Sequence, residues 1–215
     1  IGTHRGLNKL EIENEKFTAY VPAQPNSNGI SSERILSIFE DSNRMLWVGT
    51  YKGGLNKFDR DKQHFVHYRH DPNNQNTISG NNIRCIFEDS RRRLWIGTDS
   101  GLNRMDRGEN RFIQYRHRQN NRRSISHDTV RCIFEDKQNR LWIGTDMGLN
   151  RFDRKTKQFT RYKHRANDPR SIADNAILSL FQDSGENIWI GTSGNGISQI
   201  NHNAEQFNSL HFGLE

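Results

Sequence analysis

From Val130 the chain reads V-R-C-I-F-E-D, then after four polar residues L-W-I-G-T, then G-L-N-R-F-D, then F-T-R-Y-K-H. Apolar positions recur at every second place or in short runs, and polar turn-formers separate the runs. This is the period of a strand, and it predicts four short strands over 130–136, 141–145, 148–153 and 159–164. No stripe with the 3.6-residue period of a helix interrupts them. The succession then repeats along the chain. Its Trp falls at Trp47, Trp95, Trp142 and Trp189, steps of 48, 47 and 47 residues that include every Trp in the sequence. Units of four strands start near Arg34, Asn82, Thr129 and Ala176. The first unit enters at its second strand and supplies only I-G-T, G-L-N-K-L-E and F-T-A-Y, which makes nineteen strands in all.

A period of this length filled with strands points to an all-β architecture, a β-propeller of four-stranded antiparallel blades. The reading is a partial propeller of about four and a half blades. Its divisions are 1–33 (strands two to four of a blade), 34–81, 82–128, 129–175 and 176–215, with Leu214-Glu215 reading as a cloning scar. Inner strands covered on both faces need apolar residues pointing both ways, as in C-I-F and L-W-I-G. A Trp at one fixed place is expected to wedge between neighbouring blades. Burying an indole of ~200 Å² at ~25 cal/mol per Å² gives about 5 kcal/mol before entropy. Cys85 and Cys132 occupy the place held by Ser37 and Ser179 elsewhere, so the position asks for a small side chain, and a disulfide between them is not expected.

Composition narrows the function. Only 32% of the 215 residues are hydrophobic and the mean hydropathy is −0.98, too polar for one large central core but suited to thin blades. No run approaches the ~18 apolar residues of a membrane helix. The sequence opens inside a repeat without Met, so a targeting signal is expected outside it. The net charge of +7 raises the question of nucleic acid. Its densest clusters, Arg91-Arg92-Arg93 and Arg116, Arg118, Arg122 and Arg123, fall on opposite faces by strand order, which disfavours one continuous track. Lys9, Lys57, Arg104 and Arg151 share one strand-three place and are expected to form a solvated face.

The pattern IFEDSxxxLWIGTxxGLNRFD, from Ile38, Ile86 and Ile133 and more loosely from Leu180, resembles the two-component regulator propeller repeat over nearly the whole chain. The resemblance implies a periplasmic sensor part of a bacterial hybrid histidine kinase or diguanylate cyclase. The membrane anchor and the downstream signalling domains would then lie elsewhere in the same parent chain. It also implies a ring of roughly seven blades, about 330 residues at this period. One departure stands out. The Gly commonly found three residues after the Asp is here Arg44, Arg92, Asn139 or Glu186, which puts the turn geometry in question.

A ligand site breaks the symmetry that the scaffold keeps. The most variable short place is the loop after strand two, which carries His4 and Arg5, Tyr51 and Lys52, Asp99, Asp146 and Met147, and Asn195. These are the candidate ligand-binding residues, for a small polar molecule or a glycan. His70, His117 and His164 recur too regularly to meet at one metal and read as strand-end hydrogen bonders. No acid–base pair, metal motif or phosphate loop is visible, so neither catalytic residues nor a cofactor are expected. A lyase-like propeller enzyme and a protein-interaction platform are the alternatives. Association into a homodimer through open blade ends is a further expectation.

Overall fold

Each phrase forms a strand because its alternating apolar residues find a covered face. The computed structural model describes residues 1–22, 29–200 and 207–210, and nineteen strands lie among them, without a helix. They make five antiparallel meanders, each ordered as in the chain. Sheet I holds β1 (Gly2–Thr3), β2 (Gly6–Glu11) and β3 (Lys16–Tyr20). Sheet II holds β4 (Ile35–Glu40), β5 (Leu46–Thr50), β6 (Leu55–Asp59) and β7 (His64–Tyr68). Sheet III holds β8 (Ile83–Glu88), β9 (Leu94–Thr98), β10 (Gly101–Asp106) and β11 (Arg111–Tyr115). Sheet IV holds β12 (Val130–Glu135), β13 (Leu141–Thr145), β14 (Gly148–Asp153) and β15 (Gln158–Tyr162). Sheet V holds β16 (Ile177–Gln182), β17 (Ile188–Thr192), β18 (Ile197–Ile200) and β19 (Phe207–Leu210). Leu214-Glu215 lies outside the described residues.

The chain divides into two compact units, Ile1–Gln114 and Tyr115–Glu215. Within the first, β1 lies against β4 and β4 against β8; within the second, β12 lies against β16. Two of the Trp residues, Trp47 and Trp142, work as the sequence suggests. Trp47 of sheet II is buried among Ile83, Ile86, Leu94 and Met105 of sheet III. Trp142 of sheet IV is buried among Ile177, Ile188 and Ile190 of sheet V. Close approach of the sheets depends on glycine. A Cβ on Gly144 would come 2.7 Å from Ile177 Cγ2, a separation that side chains do not tolerate, so the third residue of the L-W-I-G run after Leu141 must stay bare.

A second function of the phrase was not anticipated. The Trp47 indole N–H donates to Asp41 Oδ2 at 2.8 Å, while Asp41 Oδ1 accepts the amides of Asn43 and Met45 at 2.9 and 3.0 Å. Asp89 does the same for Trp95, Asp136 for Trp142 and Asp183 for Trp189, each indole bond being 2.8 Å. This carboxylate also settles the turn in question. Arg44, Arg92, Asn139 and Glu186 all take positive φ, between 57 and 66°, so the left-handed turn forms without its usual Gly. The Asp supplies the bonds that hold it.

The buried third-strand amides are satisfied, as buried polar groups generally are. The amide of Asn103 donates to Ile96 O at 3.3 Å and to Ser79 Oγ at 2.8 Å, and its Oδ1 accepts the Ser79 amide at 2.9 Å. Asn150 repeats this on Ile143 and Ser126. Third-strand residues thereby grip the loop that leads into their own sheet. His70, His117 and His164 present Nδ1 to the carbonyls of Ile78, Ile125 and Ile172 at 2.8 to 2.9 Å, a scaffold position. Of the basic third-strand places, Lys9 is solvated as expected and the other three differ. Lys57, Arg104 and Arg151 are half-buried, each paired in register with a Trp, and Lys57 Nζ lies 6.0 Å from the Trp47 ring. Neither cysteine is in a disulfide, and burial pushes the Cys132 thiol up to about 12.

Candidate functional site

The loops after second and fourth strands meet on one face, as strand order requires. In the first unit the Tyr51 amide donates to Arg34 O at 2.9 Å and the Gly54 amide to Asn81 O at 2.9 Å. In the second, the Gly148 amide donates to Asn175 O at 2.7 Å. Rigid strands therefore carry short loops that differ from sheet to sheet, the usual arrangement of a recognition surface.

Three of the candidate residues come together in the first unit. The Lys52 amide donates to Asn82 Oδ1 at 2.7 Å, and Asn82 Nδ2 donates to Asp99 Oδ2 at 2.7 Å. Asp99 Oδ1 in turn accepts a charge-assisted bond from Arg84 Nε. At the other end, the Tyr51 ring lies 4.7 Å from the Arg34 guanidinium and 5.2 Å from the Lys52 ammonium, both within cation–π range. Tyr51, Lys52 and Asp99 thus join into one polar strip with Arg34, Asn82 and Arg84.

One member of that strip, Arg84, owes its direction to a defect in the sheet. The pairing of β8 with β9 slips between Ile83 and Cys85, so Arg84 is the extra residue of a β-bulge. The slip between Val130 and Cys132 sets Arg131 in the same way. A bulge re-aims the residue it frees, and each Arg meets the acid of its own sheet's loop, Arg84 with Asp99 and Arg131 with Asp146. Sequence reasoning passed over both arginines because it searched loops alone. The available signal was the alternation Leu36, Arg84, Arg131, Leu178 at one strand place that is otherwise regular.

Five further candidates remain. His4 and Arg5 stand exposed on the turn between β1 and β2, where the Arg5 amide donates to Thr3 Oγ1 at 3.0 Å. In the second unit, Asp146 is held by Arg131, Met147 is 44% exposed, and Asn195 Nδ2 donates to Ala173 O at 3.2 Å. Among the described residues no group of His, Cys, Asp and Glu could hold a metal ion. What the strip offers chemically is an aromatic face with cations beside it, a paired carboxylate and an amide: complementarity for a polar, hydroxyl-bearing molecule.

Residues 29–52, 77–100, 124–147 and 171–194 match the two component regulator propeller model. No curated protein matches the chain. Among solved structures, the chain is similar to the extracellular domain of an inferred hybrid two component system of B. thetaiotaomicron. The identity is 25% and the TM-score 0.76, over 94% of this chain and 26% of that one. It is also similar to a second such domain from the same organism, at 21% identity and a TM-score of 0.56, over 100% of this chain and 33% of that one. The chain therefore spans between a quarter and a third of the length of those neighbours. Virginiamycin B lyase from Staphylococcus aureus is similar at 13% identity and a TM-score of 0.66, over 97% of this chain and 64% of the lyase. At that identity the likeness shows the fold alone. The sheets described above are blades of a β-propeller, and the chain carries four two-component regulator propeller repeats.

Proposed function

We propose that this chain is the ligand-sensing part of an extracytoplasmic signalling receptor. A small polar molecule or a glycan binds on the face formed by the loops after second and fourth strands. Binding then biases the parent protein between two states read by its downstream kinase or cyclase. The reading rests on one observation above all, the strip from Arg34 and Tyr51 through Lys52 and Asn82 to Asp99 and Arg84. Its residues differ from blade to blade on an otherwise repeated scaffold. The signalling role and the location outside the cytoplasm draw support from the family and from the two extracellular domains of similar structure.

Calorimetry of the chain against a panel of neutral and charged oligosaccharides tests the assignment. Tyr51→Ala and Asp99→Ala should each weaken the best ligand by about tenfold, or ~1.4 kcal/mol. His117→Ala should leave the affinity of the folded molecules unchanged. Unaltered affinity in both strip variants, or a loss confined to the His117 variant, would show that scaffold and site have been confused.

A further inference from the structure

The positive charge of the chain is not spread evenly. Residues 115–170 carry fifteen Lys and Arg against six Asp and Glu, while all other residues together carry seventeen against nineteen. The excess belongs to one stretch of the second unit. Part of it converges between sheets IV and V, on a cleft of about 180 Å³ lined by Arg161 of β15, by Lys163, Arg165, Asp168 and Arg170 of the linker that follows, and by Phe207 of β19. The Phe207 amide donates to Arg170 O at 3.4 Å, which ties the linker to the outer strand of sheet V.

The scaffold does not require these cations. Two repeats earlier the corresponding residues are His67, Arg69, Asp71 and Asn76, one permanent cation matched by one carboxylate. Arg161 itself has a structural task, since its Nε donates to Ser124 O and its Nη2 to Asn121 O, both at 2.7 Å. An uncharged donor performs that task elsewhere. Gln114, at the same place on β11, donates through Nε2 to Thr77 O at 2.7 Å. The charge of Arg161 is thus surplus to its role in holding the linker, and Nη1 takes no part in these bonds.

That charge also lacks a counter-ion. Arg161 is half-buried, and burial pushes its guanidinium below the usual value. Among the described residues, Arg161, Lys163 and Arg170 form no ion pair. Asp168, the carboxylate lining the cleft, lies 3.8 Å from Arg165 Nη1, and its Oδ1 accepts the Arg170 amide at 3.0 Å. Four cations against one carboxylate leave more charge than a single bound carboxylate would balance. Guanidinium groups also match the oxygens of phosphate and sulfate in pairs.

We propose that this cleft binds a multiply charged oxyanion, a phosphate or sulfate group, with Arg161, Lys163, Arg165 and Arg170 sharing its charge. None of these residues belongs to the strip around Tyr51 and Asp99, so the two sites stand or fall separately.

Calorimetry of the intact chain with pyrophosphate tests the site. Phenyl phosphate, phenyl sulfate and benzoate serve as competitors. The expected result is saturable one-to-one binding of pyrophosphate at submillimolar concentration, displaced by phenyl phosphate or phenyl sulfate and not by benzoate; the better competitor identifies which group the cleft selects. Arg165→Gln and Arg170→Gln, both at exposed positions, should each weaken pyrophosphate several-fold. Asp168→Asn should strengthen it, because the cleft loses its negative charge while an amide oxygen remains to accept the Arg170 amide. Arg161→Lys keeps the charge and loses the planar fork, so affinity should fall there too. Arg122→Gln, an exposed cation of the other linker, should leave affinity unchanged. Absence of saturable binding, unaltered affinity in both Arg165→Gln and Arg170→Gln, or an equal loss in Arg122→Gln would overturn the proposal. So would displacement by benzoate, or an oligonucleotide that binds where pyrophosphate fails.

Discussion

At the scale of single residues, the repeated carboxylate beside each Trp carries the local order. Burial, the largest influence on Asp41, pushes its carboxyl upward. The Trp47 indole, the Met45 amide, the Arg107 guanidinium and the Asn43 amide together outweigh it and hold the group below the ordinary range. Asp183 is also held low, chiefly by the Trp189 indole and the Asn187 side chain. A carboxyl whose folded value lies below its unfolded value of ~3.9 stabilises the fold above that pH, and the contribution is lost as pH falls through the folded value. Urea unfolding should therefore show stability nearly level from about pH 7 to 5 and a steep loss below about pH 4. Asp183→Asn should start lower at neutral pH and lose less on acidification, since its amide oxygen can still accept the indole. Parallel pH curves for variant and parent would show that the acid limb comes from other groups. The Trp period is plain in the sequence. The bond from each Trp to an Asp six residues earlier is not, because pattern reading sees spacing on one strand and this contact folds back across a turn.

At the scale of elements, every strand was legible, since alternation and turn residues act within a few positions. The conformation of the first turn was not. Arg44 and Glu186 carry no sequence mark of a left-handed backbone, and only the Asp at a fixed place betrays it. Gly removes the steric cost of that conformation, so Arg44→Gly should raise stability by about 1 kcal/mol in urea unfolding. Asn139→Gly should gain clearly less, because Asn already tolerates positive φ. Equal gains would mean that the surrounding bonds, not backbone sterics, set the energy of the turn. The polar strip of the candidate site was legible in part. Variable loops named Tyr51, Lys52 and Asp99. Arg84 and Asn82, which tie them together, lie on or beside a first strand, where regular pairing gives no hint of a bulge.

At the scale of the whole chain, stability is a sum over blades and the interfaces between neighbours, as in other repeat proteins. Trp142→Ala should cost about 3–5 kcal/mol by leaving a cavity between sheets IV and V. Trp189, only half-buried, should cost clearly less, and chemical denaturation of the two variants checks the order. Equal losses would mean that the indole bond to Asp, common to both, matters more than the cover from a neighbouring sheet. The first-strand bulge has a consequence of another kind. It detaches one position per blade from the pairing that folds the chain, and that position already carries Leu in two blades and Arg in two. Duplicated units ordinarily face a conflict between staying alike enough to stack and diverging enough to discriminate. Here one place open to divergence lies outside the pairing, so single substitutions, blade by blade, can change the chemistry of the loop face on an unchanged template.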